Sequence, residues 1–194
     1  GLVVVAAVDA LMARTMPPEL LQSLAVRLET GRQVDLGALT ARLTNGGYVR
    51  CEQVEGVGQY ALRGGILDVF SPLMEQPVRC EFFDDEIDSM GTFDPGTQRR
   101  TANIDSALLL PAAEVLPHCA EGGLTGLGTR LLALAEKLEK KGSPAAERLR
   151  EEGAGLQNGV IPGGMDRYLA AVYPKIRTGI HYLPSDAMVF VCES

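Results

Sequence analysis

Residues 58–100 alternate between apolar and polar side chains, and this alternation constrains the fold more than any other feature of the chain. In residues 78–83 every second side chain is apolar, which is the pattern of a strand with one face on a core. Gly64-Gly65 breaks the alternation, and Asp84-Asp85 ends the next alternating segment with a residue pair that favours a tight turn. The pattern therefore predicts a mostly antiparallel sheet built from consecutive hairpins.

One large aromatic residue, Phe83, falls on the polar face of this predicted strand, four residues after Arg79. The rise of a strand places the two residues roughly 13 Å apart on one face. Arginine and aromatic residues are enriched at interface hot spots, and an aromatic side chain on a polar face needs a cover. From the residues alone, that cover is either a loop or helix of this domain or another protein.

Arg63 directly precedes Gly64-Gly65. Two glycines inside a strand permit a bulge or a close backbone approach, and a bulge would aim Arg63 sideways. On spacing alone, Arg63 is either a binding residue or a surface arginine paired with a nearby acid.

The rest of the chain adds further strands and several helices. Asp35 is a plausible N-cap for a helix over residues 36–44, and Asp9 for a short helix over residues 10–13. Two amphipathic helices are predicted within residues 127–152, separated at residues 142–144 with Ser143 as N-cap, and a short helix over residues 166–171. The predicted strands cover residues 2–8, 24–28, 48–54, 59–62, 65–70, 78–83, 87–93, 105–109 and 187–192.

The first and last of these strands are short and continuously apolar, as in a sheet covered on both faces. We expect them to lie side by side, so that residues 20–175 form an excursion from such a sheet. The chain also opens inside a strand without an initiator methionine, and we interpret it as a fragment of a longer protein.

Composition weighs against several classes of function. The net charge of −7 disfavours binding of duplex DNA by the whole chain, because such binding requires many cations opposite phosphates. The four cysteines form no CxxC pair, and we expect reduced thiols in a cytoplasmic protein without a metal site. No apolar run reaches the ~20 residues that span a membrane.

Catalytic signals are also weak. His118 and His181 stand alone, and the glycine-rich residues 159–164 lack the lysine and hydroxyl residue of a phosphate-binding loop. We therefore expect no enzyme activity, no catalytic residues and no cofactor in this chain. The acids at residues 84–88 are explained by a turn followed by an exposed strand face.

The same region resembles a known family. The similar residues are GQY at 58–60, RGGILDVF at 63–70, PVR at 77–79, FFDDEIDS at 82–89 and FDPGTQR at 93–99. These spacings resemble the UvrB-like amino-terminal module of bacterial transcription-repair coupling factors (Mfd), with weaker similarity along nearly the whole chain. UvrB shares the general layout, although RGGILD and FDPGTQR resemble the coupling factor more.

The resemblance implies an α+β fold: an antiparallel sheet domain with one or two helices, a helical subdomain, and flanking strands of a truncated α/β domain. The implied domains are the edge of an α/β domain (1–24), a β-rich UvrA-binding domain like UvrB domain 2 (25–112), a helical subdomain (113–175) and a returning strand (176–194).

By the same resemblance, the chain docks UvrA and so brings excision repair to stalled RNA polymerase. The family's partner-binding positions correspond here to Arg63, Arg79 and Phe83. The parent would be an ATP-dependent DNA translocase whose missing domains bind ATP, magnesium, RNA polymerase and DNA. Two alternatives stay open: a fragment of the UvrB helicase, and a structural module whose face another domain of the parent masks.

Overall fold

The computed structural model of the protein describes residues 3–190. In chain order, the helices and strands are α1 (Val8–Met12), α2 (Pro18–Leu24), β1 (Val26–Glu29), α3 (Leu36–Asn45), β2 (Val49–Arg50), β3 (Gln59–Arg63), β4 (Ile66–Val69), β5 (Val78–Phe83), β6 (Glu86–Phe93), β7 (Arg100–Asn103), β8 (Ser106–Leu109), α4 (Gly123–Glu139), α5 (Ala145–Gln157) and α6 (Leu169–Val172). Short 3₁₀ turns cover Pro117–Cys119, Met165–Tyr168 and Gly179–Tyr182. Contacts divide the chain into a β unit, Leu21–Leu116, and a helical unit that contains the described residues outside it.

The β unit is built on a six-stranded sheet with the order β2-β3-β4-β5-β6-β7. Strands β2 and β3 run parallel, and every other neighbouring pair in this sheet is antiparallel. Strands β1 and β8 form a separate antiparallel pair. The prediction of an α+β fold with a mostly antiparallel sheet is confirmed.

One face of the six-stranded sheet shares a core with α3 and the β1–β8 pair. Helix α3 begins as predicted, because the Asp35 carboxylate accepts a hydrogen bond from the Ala38 amide at 2.7 Å. Its apolar residues Leu39 and Leu43 are buried in that core. The strands contribute alternate residues, so their other side chains lie on the opposite face of the sheet.

Two tight turns join the central strands. Gly64-Gly65 is the turn between β3 and β4, with Arg63 paired to Ile66, so of the two possibilities for this glycine pair the bulge is absent. The alternative, a close backbone approach, is present, since a Cβ atom on Gly65 would lie 3.0 Å from the Phe82 carbonyl oxygen. Asp84 adopts a φ of 59° in the turn between β5 and β6, as predicted for Asp84-Asp85.

The strand boundaries differ from the prediction at both edges of the sheet. The strand predicted over residues 48–54 is limited to Val49–Arg50, because only these residues pair with β3. Strand β7 was not predicted, because all four of its residues are exposed and it therefore lacks an apolar alternation. An edge strand of this kind is held by backbone pairing to β6 rather than by burial.

In the helical unit, α4 and α5 approach each other closely at a point where each helix carries a glycine. A Cβ atom on Gly128 would lie 2.6 Å from the Gly153 carbonyl oxygen, and one on Gly153 would lie 3.0 Å from the Gly128 carbonyl oxygen. The two helices predicted in this region are confirmed as α4 and α5. Helix α5 starts one residue later than expected, with Pro144 rather than Ser143 at the N-cap position.

The predicted flanking strands are wrong over the described residues. Residues 3–7 and 187–190 form no strand, and no described strand pairs with either, so nothing there stabilises an extended sheet. Positions 2, 191 and 192 of these predictions lie outside the described residues. Helix α1 starts at Val8 and takes in Asp9, so Ala7 holds the N-cap position predicted for Asp9.

The segments next to the chain ends do meet in the helical unit. An isolated antiparallel bridge joins Arg14 to Thr178, and the Thr15 amide donates to the Arg177 carbonyl at 2.9 Å. The Tyr182 hydroxyl donates to the Met16 carbonyl at 2.7 Å. Residues 14–16 and 177–182 are thus joined by individual hydrogen bonds and one isolated bridge rather than by paired strands.

Candidate partner-binding face

The three residues singled out from the sequence lie on the sheet face opposite the main core, which we call the outer face. Val78 and Cys80 of β5 are fully buried in the main core. Their neighbours Arg79 and Phe83 therefore point to the outer face, as the alternation predicted. Arg63, at the end of β3, reaches the same face through its contact with Asp68, described next.

Asp68 of β4 is the centre of the outer face, and its side chain is fully buried. Arg79 binds it with two hydrogen bonds, from Nε to Oδ1 at 2.7 Å and from Nη2 to Oδ2 at 2.8 Å. Arg63 adds a third, from Nη2 to Oδ2 at 2.7 Å. A buried carboxylate is costly unless it is paired and hydrogen-bonded, and two guanidinium groups supply that pairing here.

Arg79 is also held from its other sides. Its guanidinium carbon lies 4.5 Å from the centre of the Phe93 ring, and Nη1 donates to the Gln98 carbonyl at 3.3 Å. The hydrogen bond with Asp68 raises the pKa of Arg79 above its ordinary value, and burial acts in the opposite direction. Arg79 is therefore a charged, oriented group, with 18% of its side chain exposed.

The turn after β6 supports this arrangement. The Asp94 carboxylate accepts hydrogen bonds from the Thr97 amide and hydroxyl at 2.7 and 2.8 Å, and these bonds lower the pKa of Asp94. The turn holds Gln98 at a positive φ of 61°, with its side-chain amide donating to the Val54 carbonyl at 3.1 Å. The FDPGTQR string thus closes a loop over Arg79.

Phe83 is different, because its side chain is uncovered. It ends β5 immediately before the Asp84-Asp85 turn, and 79% of the residue is exposed. Phe82, one position earlier, packs against the main core. A nearly free aromatic side chain on the same sheet face as an ordered arginine pair is a suitable anchor for a second protein.

A third arginine lies on the outer face and was not singled out from the sequence. Arg100 of β7 reaches Glu81 at 3.4 Å and also contacts Ser89 and the Met90 carbonyl. Its side chain crosses Gly91, where a Cβ atom would lie 2.2 Å from the Arg100 Nε atom. A glycine is therefore required at this position for Arg100 to lie flat on the sheet.

The sequence reasoning also missed Asp68, Phe93 and Gln98 as parts of this site. The two-residue turn at Gly64-Gly65 contains a signal for one of these contacts, since it pairs Asp68 with Ala61 and so brings Asp68 close to Arg63. The pairing of Asp68 with Arg79 depends on the register of β4 and β5, which that turn does not set. The contact of Gln98 with Arg79 depends on the loop conformation and has no such signal.

The other features noted in the sequence lie elsewhere or form no site. Among residues 3–190, no group of three or more histidine, cysteine or acidic residues is arranged to hold a metal ion. Cys51, Cys80 and Cys119 are free thiols, and Cys192 lies outside the described residues. His181 accepts a hydrogen bond from the Thr178 amide at 3.1 Å and caps a 3₁₀ turn. No helix in the described part of the chain is long and apolar enough to cross a membrane.

Comparison with known proteins places this face in a recognised domain. Residues 26–115 match the family described as the UvrB interaction domain, and this range contains all eight strands and the whole outer face. The β unit is therefore an interaction domain by family rather than a catalytic one.

Relatives extend the match over most of the chain. The transcription-repair-coupling factor of Myxococcus xanthus is 36% identical over 89% of this chain and 15% of its own length. The coupling factor of Bacillus subtilis is 28% identical over 98% of the chain and 17% of its own length. That of Escherichia coli is 39% identical over 58% of the chain and 10% of its own length.

The chain thus belongs to the family of transcription-repair-coupling factors, and its β unit is the UvrB interaction domain of that family. It spans less than a fifth of the length of the relatives that it matches.

Proposed function

We propose that the outer face of the β unit docks UvrA and so recruits the excision-repair machinery. The match to a UvrB interaction domain and the relatives named coupling factors support this proposal. The observation that carries it is the combination of an uncovered Phe83 with two arginines held in place by the buried Asp68.

The two arginines contribute in different ways. Arg63 keeps 48% of its side chain exposed and retains donors for an acidic group of the partner. Arg79 is largely enclosed and mainly fixes the electrostatic field and the shape of the face. Ordered cations of this kind steer an acidic partner and set the register of docking. Phe83 would then enter an apolar depression on UvrA.

The activities of the whole parent remain proposals. We propose that its domains outside this chain form an ATP- and magnesium-dependent DNA translocase that engages RNA polymerase and DNA. We also propose that one of those domains masks the outer face until the parent is remodelled. Within this arrangement the present chain is a docking module without ATPase activity of its own.

Calorimetric titration of the 194-residue chain with UvrA of the same organism tests the docking proposal. Phe83→Ala removes an exposed ring and is expected to weaken binding about thirtyfold, since losing a central anchor costs about 2 kcal/mol. Arg63→Gln is expected to weaken binding about tenfold while leaving Arg79 to pair with Asp68.

Matched controls come from the same unit. Leu73→Ala removes another exposed apolar side chain, and Arg27→Gln removes an arginine with 66% of its side chain exposed. Both are expected to bind UvrA like the parent. Equal affinity of Phe83→Ala and the parent, with both folded by circular dichroism, would refute the proposal.

A further inference from the structure

The helical unit carries a groove that is separate from the outer face of the β unit. The groove has a volume of about 520 Å³ and runs along α4, walled by α6 and the 3₁₀ turn before it. Residues 130, 133, 134 and 137 of α4 line one side, and their spacing of three and four places them on one stripe of the helix. Leu131 also borders the groove but is itself buried, as are Leu127 and Ala135 of the same helix.

The floor of the groove is apolar and open. Leu134 is 42% exposed, and alanines 133, 170 and 171 lie beside it. An exposed leucine among small residues leaves room for an incoming apolar side chain. One apolar residue of a ligand, rather than an extended apolar face, fits a floor of this size.

Two cations frame the floor. Arg130 donates from Nη1 to the Glu121 carbonyl at 2.8 Å, but its Nε and Nη2 atoms are buried without any hydrogen-bond partner. Buried donors without acceptors are rare in native proteins and call for a specific explanation. Lys137 makes no ion pair with the described residues, whereas the third cation, Arg167, is neutralised by Glu152.

We propose that this groove binds a short acidic peptide segment that carries one large apolar side chain. The apolar side chain would rest on Leu134, and carboxylates on either side would meet Arg130 and Lys137. The positive charge of the groove stands out in a chain with a net charge of −7. Nucleic acid fits less well, because its affinity requires many phosphate contacts and only two cations here lack an acidic partner.

The helix geometry sets the spacing of the ligand. Arg130 and Lys137 are seven residues apart, which corresponds to about 10.5 Å along an α-helix. Side chains of an extended peptide alternate between two faces, so carboxylates four residues apart lie on one face and span about 13 Å, a separation that the long side chains of Arg130 and Lys137 can bridge. The favoured ligand therefore has the pattern acid-x-apolar-x-acid, with the apolar residue on the same face as both acids. On binding, Arg130 would turn its Nε and Nη2 atoms toward a carboxylate and gain the acceptors that it lacks in the free chain.

A peptide array tests the chemistry directly. The array holds acetylated octapeptides with two Asp or Glu residues four positions apart and Leu, Met or Phe midway between them, beside matched peptides with Asn or Gln. The fluorescently labelled 194-residue chain is expected to bind the acidic set selectively. Retention of the neutral set to the same extent, or no binding to any acidic peptide, would overturn the proposal.

Variants then locate the site with the best acidic peptide, by fluorescence anisotropy. Lys137→Gln and Arg130→Gln are each expected to weaken binding about tenfold. Lys141→Gln, an exposed lysine outside the groove, is expected to change it less than about twofold. If Arg130→Gln lowers the melting temperature, Lys137→Gln still decides the outcome. Unchanged affinity of Lys137→Gln, or displacement of the peptide by an equal concentration of single-stranded oligonucleotide, would contradict an acidic-peptide site.

Discussion

At the scale of single residues, Asp68 determines the arrangement of the outer face. Its carboxylate is buried and accepts hydrogen bonds from both Arg63 and Arg79, so each arginine is ordered by a group that a partner does not touch. Removing one member of a buried ion pair leaves the other charges uncompensated in a medium of low polarity. The stability of the β unit and the order of its arginines therefore depend on the same side chain.

The substitution Asp68→Asn is expected to lower the free energy of unfolding by about 3 kcal/mol or more, because two guanidinium groups lose their anion. Urea denaturation followed by circular dichroism measures this change. Glu29→Gln is the matched control, since Glu29 pairs with Arg27 on the exposed surface. The control should change stability by less than about 1 kcal/mol. Equal effects of the two substitutions would refute the assignment of Asp68.

The buried thiol of Cys80 gives a second prediction at this scale. Burial raises the pKa of Cys80 from its ordinary value of 9.0 to about 12. The folded state then keeps its proton where the unfolded state loses it, so this contribution to stability is complete below pH 9 and disappears between pH 9 and about 12.

At pH 8, iodoacetamide should therefore leave Cys80 unmodified in the folded chain and label it after unfolding in urea. Cys119 is the internal comparison, because it is only partly buried. Mass spectrometry of tryptic peptides quantifies both. Labelling of Cys80 at the rate of Cys119 in the folded chain would contradict the buried position.

At the scale of elements, alternation and turn residues predicted the central sheet well. The strand over residues 78–83 is observed with the predicted bounds, and its inward and outward faces are as expected. Turn chemistry located the hairpin at Asp84-Asp85, whereas Gly64-Gly65, interpreted only as a break that permits a bulge or a close backbone approach, is the turn between β3 and β4. Elements with one buried face and a glycine or aspartate turn carry enough local signal to be read from the sequence.

The strands that the sequence predicted wrongly or not at all either lack this local signal or lack a neighbouring strand. Strand β7 has four exposed residues, so only its pairing with β6 defines it. The apolar residues 3–7 and 187–190 have strong strand propensity, but no described strand lies beside them. Propensity describes how well a residue suits a sheet, and it does not supply the neighbouring strand. The loop that encloses Arg79 likewise depends on tertiary contacts of Gln98.

The glycine contact between α4 and α5 gives a prediction for the helical unit. Gly153→Ala places a methyl group 3.0 Å from the Gly128 carbonyl oxygen and should lower the melting temperature by several degrees. Gly155→Ala, in the same helix, meets its nearest atom at 3.6 Å and should raise stability by about 0.5–1 kcal/mol through higher helix propensity.

Differential scanning calorimetry of the two glycine variants decides this prediction, because the helix and the substitution are the same. A stabilising effect of both substitutions would show that α4 and α5 do not approach closely at Gly128 and Gly153. Destabilisation by both would instead point to a requirement for glycine throughout α5.

At the scale of the whole molecule, three of the fourteen arginines of this acidic chain lie together on one sheet face. The net charge is −7, yet Arg63, Arg79 and Arg100 all lie on the outer face beside only two acids that they contact, Asp68 and Glu81. A local positive field on an acidic chain favours a specific acidic partner over general attraction to nucleic acid. This distribution agrees with a docking module better than with a damage-contacting fragment of UvrB.

Photo-crosslinking from position 83 is the most direct test of the docking proposal. The chain carrying p-benzoylphenylalanine in place of Phe83 is mixed with UvrA of the same organism and irradiated, and the same residue in place of exposed Leu73 serves as control. The proposal predicts a crosslink to UvrA from position 83 that unlabelled parent chain suppresses, and none from position 73. Equal crosslinking from both positions, or none from position 83 while the proteins bind, would contradict docking through the outer face.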